Sequence, residues 1–75
     1  MKNEEKLLKI YLFLKEEGYF PKLRMDRYEE TISFSLNGDF VFLLLENNKL
    51  IIKYTGKEPS ILDISVKINR IFKEN

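Results

Sequence analysis

Alternating apolar and polar residues between positions 31 and 55 predict three antiparallel β-strands. Two short turns separate them, Asn37-Gly38 and Asn47-Asn48. Asn and Gly accept the positive φ angles that two-residue hairpin loops require. The segment is therefore predicted to be a three-stranded meander.

These turns fix the strand register, and the register sorts the side chains onto two faces. We predict a core face of Ile32, Phe34, Leu36, Val41, Leu43, Leu45, Leu50, Ile52 and Tyr54. The opposite face carries Thr31, Ser33, Ser35, Phe40, Phe42, Leu44, Ile51, Lys53 and Thr55. In a small meander this second face should meet solvent, yet its centre is apolar.

Apolar residues at helical spacing predict a helix on each side of the meander. Residues 3–17 carry one apolar stripe and end at Gly18, which suits a left-handed helix terminus. After a loop at residues 56–59, Ser60 is predicted to cap a second helix. Its stripe consists of Ile61, Ile64, Ile68, Ile71 and Phe72.

The segment between the first helix and the meander has two possible structures. Pro21 ends any helix, and residues 22–25 alternate in polarity. They form either a separate short edge strand within residues 22–26 or the early part of a long, bent first strand. Residues 26–30 are predicted to form a turn.

Together these elements predict one α+β domain over residues 1–75, a two-layer α-β-β-β-α sandwich with a three-stranded antiparallel meander. Both helices should cover the core face. The Phe40/Phe42 face then stays open.

Composition limits the functions available to the chain. The 75 residues include no Cys and no His, so disulfides, thiolate ligands and the commonest metal ligand are missing, and we predict no cofactor. A net charge of +1 is no electrostatic footprint for nucleic acid or an acidic membrane. The longest apolar run, residues 40–45, is too short to cross a bilayer, and no signal peptide is visible. We expect a cytoplasmic protein.

No residue combination predicts catalysis. Ser33 and Lys53 are the most plausible pair, but the register places them on opposite sides of the central strand, about 9–10 Å apart. A Ser-Lys dyad needs hydrogen-bond reach, about 3 Å. Asp26, Glu29 and Glu30 cluster at a turn, but their spacing matches no calcium loop. We expect a protein that is not an enzyme.

The α-β-β-β-α order is also that of the double-stranded RNA-binding domain, which makes nucleic-acid binding the alternative function. That family carries a Gly-Pro-x-His loop between its first two strands and a Lys-Lys-x-Ala-Lys start to its second helix. Here the corresponding segments are 36–39 and 59–63, and neither contains its motif. Asp63 would also repel phosphate.

The apolar centre of the open face predicts a contact surface for another protein, most simply a second copy of the chain. A homodimer, another protein, or both would use the same residues. The predicted partner-binding set is Phe40, Phe42, Leu44, Ile51, Ser33, Ser35 and Lys53. Two alternatives remain: a helix or Tyr19 and Phe20 could cover the patch, or it could receive a lipid or a small ligand.

The chain also resembles the YbjN-like proteins, which share the type III secretion chaperone-like fold. The matching residues are Glu17-Gly18-Tyr19, Pro21, Leu23, Asp26, Ile32-Ser33-Phe34, Gly38 and Phe40, with Asn69 inside the helical segment Val66 to Lys73. Members of this family usually continue with two more strands and a helix. The resemblance implies a small, non-enzymatic, chaperone-like protein-binding module, often dimeric.

Overall fold

A computed structural model of the chain describes residues 3–27, 29–57 and 59–74. In chain order the elements are α1 (Asn3–Glu16), β1 (Lys22–Met25), β2 (Glu30–Leu36), β3 (Asp39–Glu46), β4 (Lys49–Tyr54) and α2 (Pro59–Lys73). The strands form one antiparallel sheet in the order β1-β2-β3-β4. The predicted α+β class is confirmed, with four strands in place of three.

The predicted register of the meander is confirmed. Leu43 pairs with Ile32 on β2 and with Ile52 on β4. Asn37 and Gly38 have φ angles of 53° and 85°, and Asn47 and Asn48 have 53° and 63°. Positive φ at both loop positions is the type I′ geometry, whose twist matches that of the flanking strands.

The additional strand is β1, an edge strand that pairs with β2. Leu23 lies opposite Ile32, so the alternating segment joins the sheet instead of extending its first strand. A turn follows, in which the Glu29 N–H donates to Asp26 Oδ1 at 2.7 Å and the Asp26 N–H donates to the Glu29 carbonyl at 2.9 Å. Glu30, predicted to lie in this turn, begins β2, and Tyr28 lies outside the described residues.

The helix boundaries agree with the predictions at one position and differ at another. Gly18 has a φ of 94°; its N–H bonds to the Lys15 carbonyl and the Tyr19 N–H to the Leu14 carbonyl, which together make a Schellman motif. The prediction that Ser60 caps α2 is wrong, because the helix begins at Pro59. The fixed φ of proline suits the first helical position. Glu58 of the predicted loop lies outside the described residues.

Both helices lie on the predicted core face. α1 packs over β1 and β2, α2 packs over β4, and the two helices contact each other. The buried core consists of Leu7, Ile10, Leu14, Ile32, Phe34, Leu36, Val41, Leu43, Ile61, Ile64 and Ile68. No described helix covers the opposite side of the sheet, which therefore faces outward.

Candidate functional site

Three rows of residues that cross the strands make up most of the outward side of the sheet, called the open face below. The first row is Lys22, Ser33, Phe42 and Lys53. The second is Arg24, Thr31, Leu44 and Ile51. The third is Ser35, Phe40 and Thr55.

Two phenylalanines of β3 form the apolar centre of the open face. Phe40 is 56% exposed and Phe42 39%, and their ring centroids lie 6.4 Å apart. Leu44 and Ile51 are half-buried beside them. The Phe40 N–H donates to Thr55 Oγ1 at 2.9 Å, and the Thr55 N–H donates to the Phe40 carbonyl at 3.1 Å. These bonds hold the backbone of Phe40 in place, so its ring is presented from a fixed position.

A third phenylalanine, Phe20, stands at the border of the open face. It is 92% exposed and lines a shallow hollow of about 350 Å³ together with Phe40 and Phe42. The preceding Tyr19 packs against the core instead, with its ring centroid 5.1 Å from that of Phe34. Neither residue covers the Phe40/Phe42 patch, so the part of the chain that the structure describes leaves this patch exposed.

The hollow is lined by apolar rings and small hydroxyls. Its lining residues are Phe20, Lys22, Ser33, Phe34, Ser35, Phe40 and Phe42. A second hollow, of about 500 Å³, lies beside it and shares Lys22, Ser33 and Phe42. Because the side chains of Ser33 and Ser35 are small, the hollow leaves room beside the rings of Phe40 and Phe42 for a side chain of a partner.

The charges of the open face are predominantly positive. Arg24 is paired with Glu29, with 3.1 Å between Nη1 and Oε2, and Lys49 lies across from Glu46. Lys22 and Lys53 are exposed at the two ends of the first row. Among the described residues, neither of these two lysines has a carboxylate oxygen within 4.0 Å.

The same geometry separates Ser33 from Lys53, the pair considered above for catalysis. Ser33 and Lys53 both pair with Phe42, one from β2 and one from β4, so two strand spacings of about 4.8 Å separate them. At that separation Ser33 and Lys53 lie beyond the hydrogen-bond reach that a Ser-Lys dyad requires. The described residues include no group of three or more candidate metal ligands.

All seven residues predicted to bind a partner lie on the open face. Phe40 is the more exposed of the two phenylalanines on β3. The predicted set omits Phe20, which the sequence analysis treats only as a residue that could cover the patch. It also omits Lys22 and Arg24, because the sequence leaves the pairing of residues 22–25 open. The alternation of Lys22, Leu23, Arg24 and Met25 was the available signal, since it puts both basic residues on one side of a strand.

Comparisons with protein-family models, curated proteins and solved structures gave no match to this chain. The resemblance to the YbjN-like proteins stays a prediction. Within the described residues, no helix has both the length and the apolar character needed to cross a membrane.

Proposed function

We propose that this chain is a small, non-enzymatic protein-binding module that uses the open face as its contact surface. The carrying observation is the exposure of Phe20, Phe40 and Phe42 around one hollow that no described element covers. The largest contiguous apolar patch on the surface of a soluble protein often has a binding role.

The exposed area supports an interface of ordinary size. A phenylalanine exposes about 200 Å² when free, so the three rings leave roughly 370 Å² accessible to solvent. That is nearly half of the about 800 Å² that each partner contributes to a standard interface. At about 25 cal/mol per Å², burying it gives about 9 kcal/mol, comparable to the estimated 4–15 kcal/mol cost of association.

The chemistry around the rings also fits a protein interface. Ser33, Ser35, Thr31 and Lys53 surround the apolar centre, which matches the polar rim and apolar core of known interfaces. A second copy of the chain and a different protein are both candidate partners for this surface. Cytoplasmic localisation remains part of the proposal.

Two substitutions at matched positions test the proposal. Phe40 on the open face is 56% exposed, and Leu62 on α2 is 57% exposed. We expect the native protein in nuclease-treated extracts of its source cells to elute as a complex larger than 9.0 kDa. Phe40→Ser should return it to the size of the free chain, whereas Leu62→Ser should leave the complex intact.

Elution of the native protein at the size of the free chain would contradict the proposal, as would equal effects of the two substitutions. A complex that disappears on nuclease treatment would favour nucleic-acid binding. Sedimentation equilibrium of the purified protein then separates the two candidate partners, since only self-association raises the mass of the pure chain with concentration.

A further inference from the structure

The two ends of the first row of the open face carry lysines that have no carboxylate oxygen within 4.0 Å among residues 3–27, 29–57 and 59–74. Lys22 lies on β1 and Lys53 on β4, with Ser33 and Phe42 between them. Arg24 differs, because Glu29 binds it at 3.1 Å. An occupant of the open face thus meets an aromatic ring flanked by two free ammonium groups.

A second copy is a poor match for this row when the two-fold axis passes through the middle of the row. In a face-to-face homodimer the symmetry axis lies between the two sheets. If the axis passes through the middle of the row and runs along the strands, Lys22 of one copy lies opposite Lys53 of the other. If it runs across the strands, the two copies of Lys22 lie opposite each other. Like charges placed opposite each other suppress such a partner.

An acidic segment matches the same row in both charge and length. Three strand spacings separate Lys22 from Lys53, a distance of about 14 Å between their backbones. In an extended peptide, residues at i−2, i and i+2 point to one side, and i−2 and i+2 are about 13 Å apart. A Glu-x-Phe-x-Glu segment laid across the strands would therefore bring both carboxylates to the lysines and its ring to the hollow beside Phe42.

From this match, which rests on the proposed function, we infer that the partner of the open face is an acidic protein segment with an aromatic side chain between two carboxylates. The weak overall charge favours such a segment over single-stranded nucleic acid, because a net charge of +1 and a pI of about 7.9 give no extended basic surface. Aromatic stacking on the open face by itself would serve either ligand.

The test uses three seven-residue peptides with blocked ends, titrated into the full-length ¹⁵N-labelled protein and followed by NMR. The acidic peptide is Ser-Glu-Ser-Phe-Ser-Glu-Ser, the basic one has Lys in place of Glu, and the third has Ser in place of Phe. We expect the acidic peptide to shift the amide signals of Ser33, Phe42 and Lys53 and to leave Leu62 unchanged. Each exposed ion pair changes affinity by about two- to fivefold, so the basic peptide should bind at least about fourfold more weakly.

A charge-reversed variant provides the matched control. Lys22 and Lys53 are exposed, so Lys22→Glu combined with Lys53→Glu should leave the fold intact and reverse the preference between the acidic and basic peptides. The peptide without Phe should bind neither protein measurably.

Several results would overturn the inference. In the peptide titrations these are equal binding of the acidic and basic peptides, an unchanged preference in the double variant, or no change in the amide signals with the acidic peptide at millimolar concentration. Tighter and more salt-dependent binding of a ten-residue oligouridylate than of the acidic peptide would also contradict it. Self-association of the pure protein through the open face would also overturn it, since the second copy would then be the occupant. Each of these can occur while Phe40→Ser still abolishes the native complex, so the inference can fail where protein binding stands.

Discussion

The contrast between Phe20 and Phe34 gives the sharpest test of how the chain sorts its aromatic residues. Phe34 is 3% exposed on the core side of β2, and Phe20 is 92% exposed after α1. Phe34→Ala removes a fully packed ring and should lower the free energy of unfolding by about 3–5 kcal/mol. Phe20→Ala removes only about 16 Å² of buried area, worth about 0.4 kcal/mol.

Thermal melting of both variants measures this difference directly. A domain of this size changes its melting temperature by about 4–8 °C per kcal/mol, so Phe34→Ala should melt at least about 12 °C below the wild type and Phe20→Ala within about 3 °C of it. Melting at two protein concentrations controls for self-association, which would add to the stability of the wild type. A loss above about 1.5 kcal/mol for Phe20→Ala at low concentration would show that this ring folds onto its own chain.

Substitutions at three further positions test the fold. Gly18→Ala should lower the free energy of unfolding by about 1–2 kcal/mol, because the φ of 94° strains any residue that has a Cβ. No atom lies within 4 Å of the added methyl group, so a steric clash adds nothing to this loss. Gly18→Asn should lower the free energy of unfolding by less, since Asn tolerates this conformation better than Ala. Leu43→Ala should lower the free energy of unfolding by about 2–5 kcal/mol, since Leu43 is 0% exposed between Ile32 and Ile52. In urea denaturation the midpoint should fall while the m-value stays unchanged. Arg24→Ala should change the free energy of unfolding by less than about 1 kcal/mol, because the ion pair it breaks is well exposed to solvent.

The meander could be predicted from sequence because its information is local. Asn37-Gly38 and Asn47-Asn48 accept positive φ, so each hairpin has one favoured turn and the turn sets the register. The helices could be predicted because each apolar stripe recurs at helical spacing. These signals together placed Phe40 and Phe42 on the open face.

The strand β1 and the start of α2 could not be predicted as firmly. Four alternating residues, Lys22 to Met25, are too few to specify a strand, and their structure depends on pairing with β2. At α2, Pro59 and Ser60 both favour a helix start, and the preference of proline for the first helical position prevailed. The exposure of Phe20 follows from tertiary structure, because a ring beside Pro21 could have turned either way.

Photo-crosslinking at position 40 tests most directly whether the open face binds a protein. A benzoylphenylalanine at position 40 keeps the apolar character of Phe40, and the same group at position 62 on α2 serves as the control at equal exposure. Each labelled protein is irradiated in the source cells. The protein labelled at position 40 should give a discrete protein adduct, and the protein labelled at position 62 should give none. Equal crosslinking from both positions, an adduct to nucleic acid alone, or no adduct from position 40 would contradict the account.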